Sequence, residues 1–65
     1  MITVNGKEVK DQEEQTVADY LEENGYQMNR IAVELNGGIL PKYEYSETRL
    51  KDGDSMEIVT FVGGG

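Results

Sequence analysis

The chain has no cysteine, no histidine and no tryptophan, and a single proline among its 65 residues. Without cysteine or histidine there is no disulfide, no thiolate, no Ser-His or Cys-His nucleophile pair and no usual zinc ligand set. A domain of this size buries only about 60% of the surface its unfolded chain exposes, and small domains often add disulfides or metals. Regular secondary structure and one apolar core must therefore suffice. In any reaction it enters, the protein is expected to be a substrate and not a catalyst. Basic charge is also scarce. Six Lys and Arg stand against thirteen Asp and Glu, a formal net charge of −7. Such a balance repels nucleic-acid phosphates and anionic lipid, so neither nucleic acid nor membrane is an expected partner. A protein with a basic docking face fits, as does the plain reading that the charge maintains solubility. No apolar run approaches the roughly 20 residues of a membrane span, and no basic-then-apolar leader opens the sequence. The expected location is the cytoplasm.

From the N-terminus, Ile2 and Val4 alternate with polar neighbours, Asn5-Gly6 follows, and Val9 sits among charges in Lys7 to Lys10. Asn-Gly between short alternating runs predicts a hairpin, because both residues tolerate the positive φ of a type I′ turn. Asp11 to Gln15 is an acidic connection. Asp11, Glu13 and Glu14 complete no calcium-loop spacing and read as a solvated run. Thr16 has the features of an N-cap, with Asp19 three positions on, so a helix is predicted from Val17. Val17, Leu21 and either Ala18 or Tyr20 form its buried face, while Asp19, Glu22 and Glu23 face water. Gly25 suits the left-handed position after the helix, and Tyr26 can pack back on Leu21. At about two turns, this helix needs a sheet to lie on.

Ile31, Val33 and Leu35 share one face of a third strand, and Asn36-Gly37-Gly38 turns the chain. Ile39-Leu40 can form only a short strand, since Pro41 cannot donate to a ladder and favours an edge. Tyr43 to Thr48 shows no clear period and is expected to be irregular, with one helical turn at most. Asp52-Gly53-Asp54 reads as a turn. In the last strand, Met56 to Val62, alternation groups Met56, Ile58, Thr60 and Val62 against Glu57, Val59 and Phe61. Glu57 is costly to bury unpaired, so its face should be the outer one. Val59 and Phe61 are then either exposed or covered by a loop or the helix.

This order of elements, in so short a chain, requires one helix over one face of a mixed sheet. Placing the final strand beside the first, in parallel, puts the most apolar strand at the centre and sends the tail out from its end. The predicted class is α+β: a β-grasp, or ubiquitin-like, mixed sheet of four to five strands with one helix on one face. The domain spans residues 1–62, and residues 63–65 form a flexible glycine tail. Gly63, Gly64 and Gly65 have no Cβ, so they can thread a channel too narrow for a substituted residue and deliver a terminal carboxylate. The plain alternative is a frayed end.

On these residues the sequence resembles the ThiS family, the bacterial sulfur-carrier proteins of thiamin biosynthesis. The likeness runs from the Met-Ile-Thr-Val-Asn-Gly opening through Gln15-Thr16-Val17 and Ile31-Ala32-Val33-Glu34-Leu35-Asn36-Gly37. It continues in Leu50-Lys51-Asp52-Gly53-Asp54 and Glu57-Ile58-Val59, and is most specific in Phe61-Val62-Gly63-Gly64-Gly65. Gly38, where the family often carries an acidic or polar residue, and Lys42, where Arg is common, are small departures. The resemblance implies that a ThiF-like adenylyltransferase uses Mg-ATP to convert the Gly65 carboxylate to an acyl-adenylate. A persulfide sulfur donor then displaces AMP to leave a thiocarboxylate, and a ThiG-like thiazole synthase takes up the sulfur. The carrier itself binds no cofactor and is not an enzyme. In this picture Gly65 is modified, Gly63 and Gly64 form the arm, and Val59, Phe61 and Val62 dock the partner. Carriers that serve molybdopterin or tRNA thiolation share the features read so far, as does a conjugated or purely binding ubiquitin-like module.

Overall fold

The first reversal of the chain comes at Asn5-Gly6, with φ of 52° and 82°, the paired positive values that a two-residue type I′ turn requires. It joins β1 (Ile2–Val4) to β2 (Lys7–Val9) as an antiparallel hairpin. A second turn of the same kind, Asn36-Gly37 with φ of 52° and 86°, joins β3 (Ile31–Leu35) to β4 (Gly38–Leu40). The reversal therefore needs only two residues, and Gly38, expected in the turn, opens β4. The computed structural model describes residues 1–10 and 15–61. The acidic connection 11–14 and the tail residues 62–65 lie outside the described residues, so the boundary drawn after residue 62 falls there too.

The last strand, β5 (Ser55–Thr60), lies between the two hairpins and gives the sheet order β2-β1-β5-β3-β4. It runs parallel to β1, pairing Thr3 with Ser55 and Val4 with Met56, and antiparallel to β3 from Ile31↔Thr60 to Leu35↔Met56. This is the placement expected from its apolar content. β5 is shorter at its far end than alternation suggested, because Phe61 has left the regular strand. Helix α1 (Val17–Glu23) covers one face: Val17, Tyr20 and Leu21 are buried in one cluster with Ile2, Val4, Ile31, Val33, Met56 and Ile58. Between the two candidates, Tyr20 is the buried one and Ala18 is partly buried.

Each amide of the first helical turn has a partner. Thr16 Oγ1 accepts from the Asp19 N–H at 3.0 Å, and the Asp19 carboxylate accepts from the Thr16 N–H at 3.3 Å, completing a capping box. The Val17 and Ala18 N–H groups donate to the Thr48 and Tyr45 carbonyls at 2.8 and 2.9 Å. At the other end, the Tyr26 N–H donates to the Leu21 carbonyl at 2.9 Å and that of Gly25 to Glu22 at 3.2 Å. With Gly25 at φ 79°, this is a Schellman stop.

The segment after Pro41 holds one 3-10 turn, Lys42–Glu44, as its lack of period suggested. It also carries the core residue Tyr45, only 3% exposed, which spacing did not identify. Burial raises the Tyr45 phenol above its ordinary value, opposed by a backbone hydrogen bond with Val33. Among the described residues, no helix is long and apolar enough to cross a membrane.

Candidate functional site

β5 is the strand that leads to the glycines, and it is gripped along its length. On one side β3 pairs with it from Met56 to Thr60. On the other, β1 ends at Val4, and the Asn5 side chain takes over. The Asn5 N–H donates to the Met56 carbonyl at 2.9 Å, and Asn5 Oδ1 accepts the Ile58 N–H at 2.7 Å, adding one more rung beyond the end of β1. At the start of β5, Asn36 does the matching work: its N–H donates to the Ser55 carbonyl at 2.7 Å and its Oδ1 accepts the Ser55 N–H at 2.9 Å. The two Asn-Gly turns therefore shape their hairpins and also brace the central strand.

The turn before β5 is built around Asp54, a buried acidic residue at 7% exposure. One carboxylate oxygen accepts from Asn36 Nδ2 at 3.0 Å and the other from the Lys51 N–H at 2.8 Å. Asp52, by contrast, is at the surface and pairs with the N-terminal ammonium of Met1. The hydrogen bond and the charge of that ammonium hold its carboxyl below the ordinary value. Asp52-Gly53-Asp54 is a turn, with Gly53 at φ 92°. Among the described residues, no group of three or more Asp or Glu side chains could hold a metal ion.

At the far end of β5, the last described backbone hydrogen bond runs from the Phe61 N–H to the Arg30 carbonyl, at 3.0 Å. Ordered pairing therefore extends to Phe61. Four residues follow it in the sequence, and an extended chain spans at most about 3.3 to 3.6 Å per residue. Gly65 can therefore reach no more than roughly 14 Å beyond Phe61, with no side chain on its last three positions to obstruct it.

Val59 and Phe61 lie on the sheet face away from the helix, at 54% and 49% exposure, and no loop or helix among the described residues covers them. This settles the choice the sequence left open. Val62, the third expected docking residue, and Gly63, Gly64 and Gly65 lie outside the described residues. Spacing missed three residues that shape the site. Asn5 and Asn36 were read as turn formers only, although a buried carboxylate and unpaired strand amides nearby need donors and acceptors. Glu34 received no role from the sequence, and its position directly across from Glu57 appears only with the register.

A mixed sheet whose first and last strands run parallel at its centre, with one helix on one face and a glycine ending on the last strand, defines a ubiquitin-like β-grasp protein. The model of the ThiS family matches residues 1–65. The crystal structure of a thiamine biosynthesis protein (ThiS) from Geobacter metallireducens superposes with a TM-score of 0.78 at 39% identity, covering 98% of this chain and 97% of that one. The sulfur carrier protein ThiS of Bacillus subtilis is 41% identical, with both chains covered in full. A thiazole synthase of Paramagnetospirillum magneticum is also 41% identical over 98% of this chain, which spans only 20% of that longer protein. The chain belongs to the ThiS family.

Proposed function

We propose that this protein is the sulfur carrier of thiamin biosynthesis and that its working group is the Gly65 carboxylate. One observation carries the reading: the innermost strand is braced on both sides by Asn5 and Asn36 and leads directly into Val62-Gly63-Gly64-Gly65. A braced base with a side-chain-free end suits a carboxylate that must enter an enzyme's closed site. The family match and the carrier names of its relatives support the same reading.

A carboxylate is a poor electrophile until one oxygen becomes a leaving group. In the proposed sequence a ThiF-like adenylyltransferase binds the domain with Mg-ATP. A Gly65 carboxylate oxygen attacks the α-phosphorus, pyrophosphate leaves, and an acyl-adenylate forms. The terminal sulfur of a persulfide donor then attacks the carbonyl carbon and expels AMP. A thiol opens the resulting acyl disulfide, leaving the thiocarboxylate on Gly65. The partner must keep water from the mixed anhydride, which is where a narrow passage and three glycines serve. The carrier has no cysteine, so it cannot hold sulfur as a persulfide of its own.

Delivery to thiazole synthase draws support from the relative of that name, in which a segment similar to this whole chain forms part of a longer protein. The proposed docking surface is Val59, Phe61 and Val62, beside the tail. The proposed setting is the cytoplasm, where adenylyltransferase and ATP meet. Deleting Gly65, or replacing Gly64 with Leu, should abolish ATP-dependent pyrophosphate release by the adenylyltransferase while the circular dichroism spectrum stays native. Normal release from either variant would contradict the reading.

A further inference from the structure

The open face of the sheet carries an ordered charge pattern. Antiparallel register places residues of β3 and β5 directly opposite one another in rows, with alternate rows on each face. On the face away from the helix, Ala32 opposes Val59 and Glu34 opposes Glu57. Beyond the strand, the hydrogen bond from Phe61 to Arg30 sets those two residues across from each other. Glu34 is also paired with Ile39 of β4, which is 75% exposed. Moving from the tail end toward the far end, the surface runs from arginine and phenylalanine, through alanine and valine, to two facing carboxylates bordered by isoleucine. Successive rows on one face lie about 7 Å apart.

Two like charges directly across a strand pair repel one another. Neither Glu34 nor Glu57 has an ion-pair partner among the described residues, and residues 11–14 and 62–65 include no Lys or Arg. The carboxylates border an uncovered apolar strip formed by Val59 and Phe61 that continues toward the tail. A complementary surface therefore has an apolar seat for the strip and one cationic group, about two rows from the seat of Phe61, to lie between the carboxylates.

We infer that Glu34 and Glu57 form the polar anchor of this face, and that its occupant is the adenylating partner, which presents a Lys or Arg between them. This rests on the carrier reading above and adds to it a residue-level basis for partner orientation. With the cation at the acidic end and the apolar seat beside Phe61, the face docks one way round, so that the tail points to the active site. Electrostatic complementarity of this kind fixes register and raises the encounter rate.

The test is steady-state adenylation, followed by pyrophosphate release, as the concentration of carrier is varied. Wild type is compared with Glu34→Gln/Glu57→Gln and with Glu22→Gln/Glu23→Gln, which removes the same net charge from the exposed face of α1. The anchor variant should raise KM by about tenfold or more with kcat within twofold, and should lose most of the salt dependence of KM. The helix variant should stay close to wild type. Because the anchor variant relieves a repulsion, its thermal midpoint should be no lower than that of wild type, which separates docking from folding. Equal shifts of KM in both variants, or none in either, would overturn the anchor while leaving the carrier reading intact. A wild-type chain that the active adenylyltransferase does not process would overturn the carrier reading, and the anchor with it.

Discussion

The Asn36 side-chain amide donates to the buried carboxylate of Asp54 across 3.0 Å. Through its own oxygen it also accepts the first amide of β5, that of Ser55, at 2.9 Å. One side chain thus links the β3–β4 turn, the turn before β5 and the start of the central strand. Asn36→Gly keeps the positive φ and removes both side-chain bonds, while adding some freedom to the unfolded chain. It should destabilise the protein by about 1 to 3 kcal/mol, the usual cost of leaving buried polar groups without partners. Urea denaturation measures this, and an unchanged midpoint would show that water replaces the Asn36 amide at no cost.

Tyr45 should be a principal core residue despite its position in an irregular segment. The residue is 3% exposed, and its backbone carbonyl accepts the Ala18 N–H. Tyr45→Ala should cost about 3 to 5 kcal/mol, the range for a large aromatic lost from a core. A loss under about 1 kcal/mol would mean that the 41–50 segment is not part of the cooperative unit.

The same residue carries a pH dependence. Burial raises the phenols of both Tyr45 and Tyr20 above the ordinary 10.0, with Tyr26 adding to the shift at Tyr20. A group with a raised folded value contributes stability that is complete below its unfolded value and is lost as pH rises through the folded one. Stability should therefore fall as pH rises above about 10, and Tyr45→Phe should flatten that fall. Parallel alkaline unfolding curves for wild type and variant would contradict this.

Val59 and Phe61 should matter to the partner and little to the fold. Each is about half exposed, so Val59→Ser/Phe61→Ser should leave the thermal midpoint near that of wild type. If they anchor the docking surface, the variant should bind the adenylyltransferase about ten- to a hundredfold more weakly, as loss of buried apolar anchors commonly does. Titration calorimetry decides the matter. Unchanged affinity would move the docking surface elsewhere.

Much of this arrangement was legible in local residue patterns. Asn5-Gly6, Thr16 with Asp19, and Gly25 with Tyr26 each announce a turn or helix end through short-range chemistry, and each stands where that chemistry requires. Alternation in Met56 to Phe61 correctly separated the buried Met56 and Ile58 from the open Glu57, Val59 and Phe61. Thr60 belongs to the inner face by alternation yet is exposed, since β1 ends well before it. What stayed hidden depends on residues distant in the chain. Tyr45 is buried because its segment docks on the first turn of α1, and no periodicity reports that. The Asn5 bond to Ile58 spans 53 positions, and the Glu34–Glu57 opposition exists only once β3 and β5 are in register.

The central claim is that sulfur is carried on the carboxylate of Gly65. The measurement that tests it most directly is the intact mass of the protein after incubation with an active adenylyltransferase, Mg-ATP and a persulfide donor, with fragmentation to locate any change. The account predicts a gain equal to the exchange of one oxygen for sulfur, confined to Gly65 and absent without ATP. An unchanged mass, or sulfur located anywhere else in the chain, would contradict it.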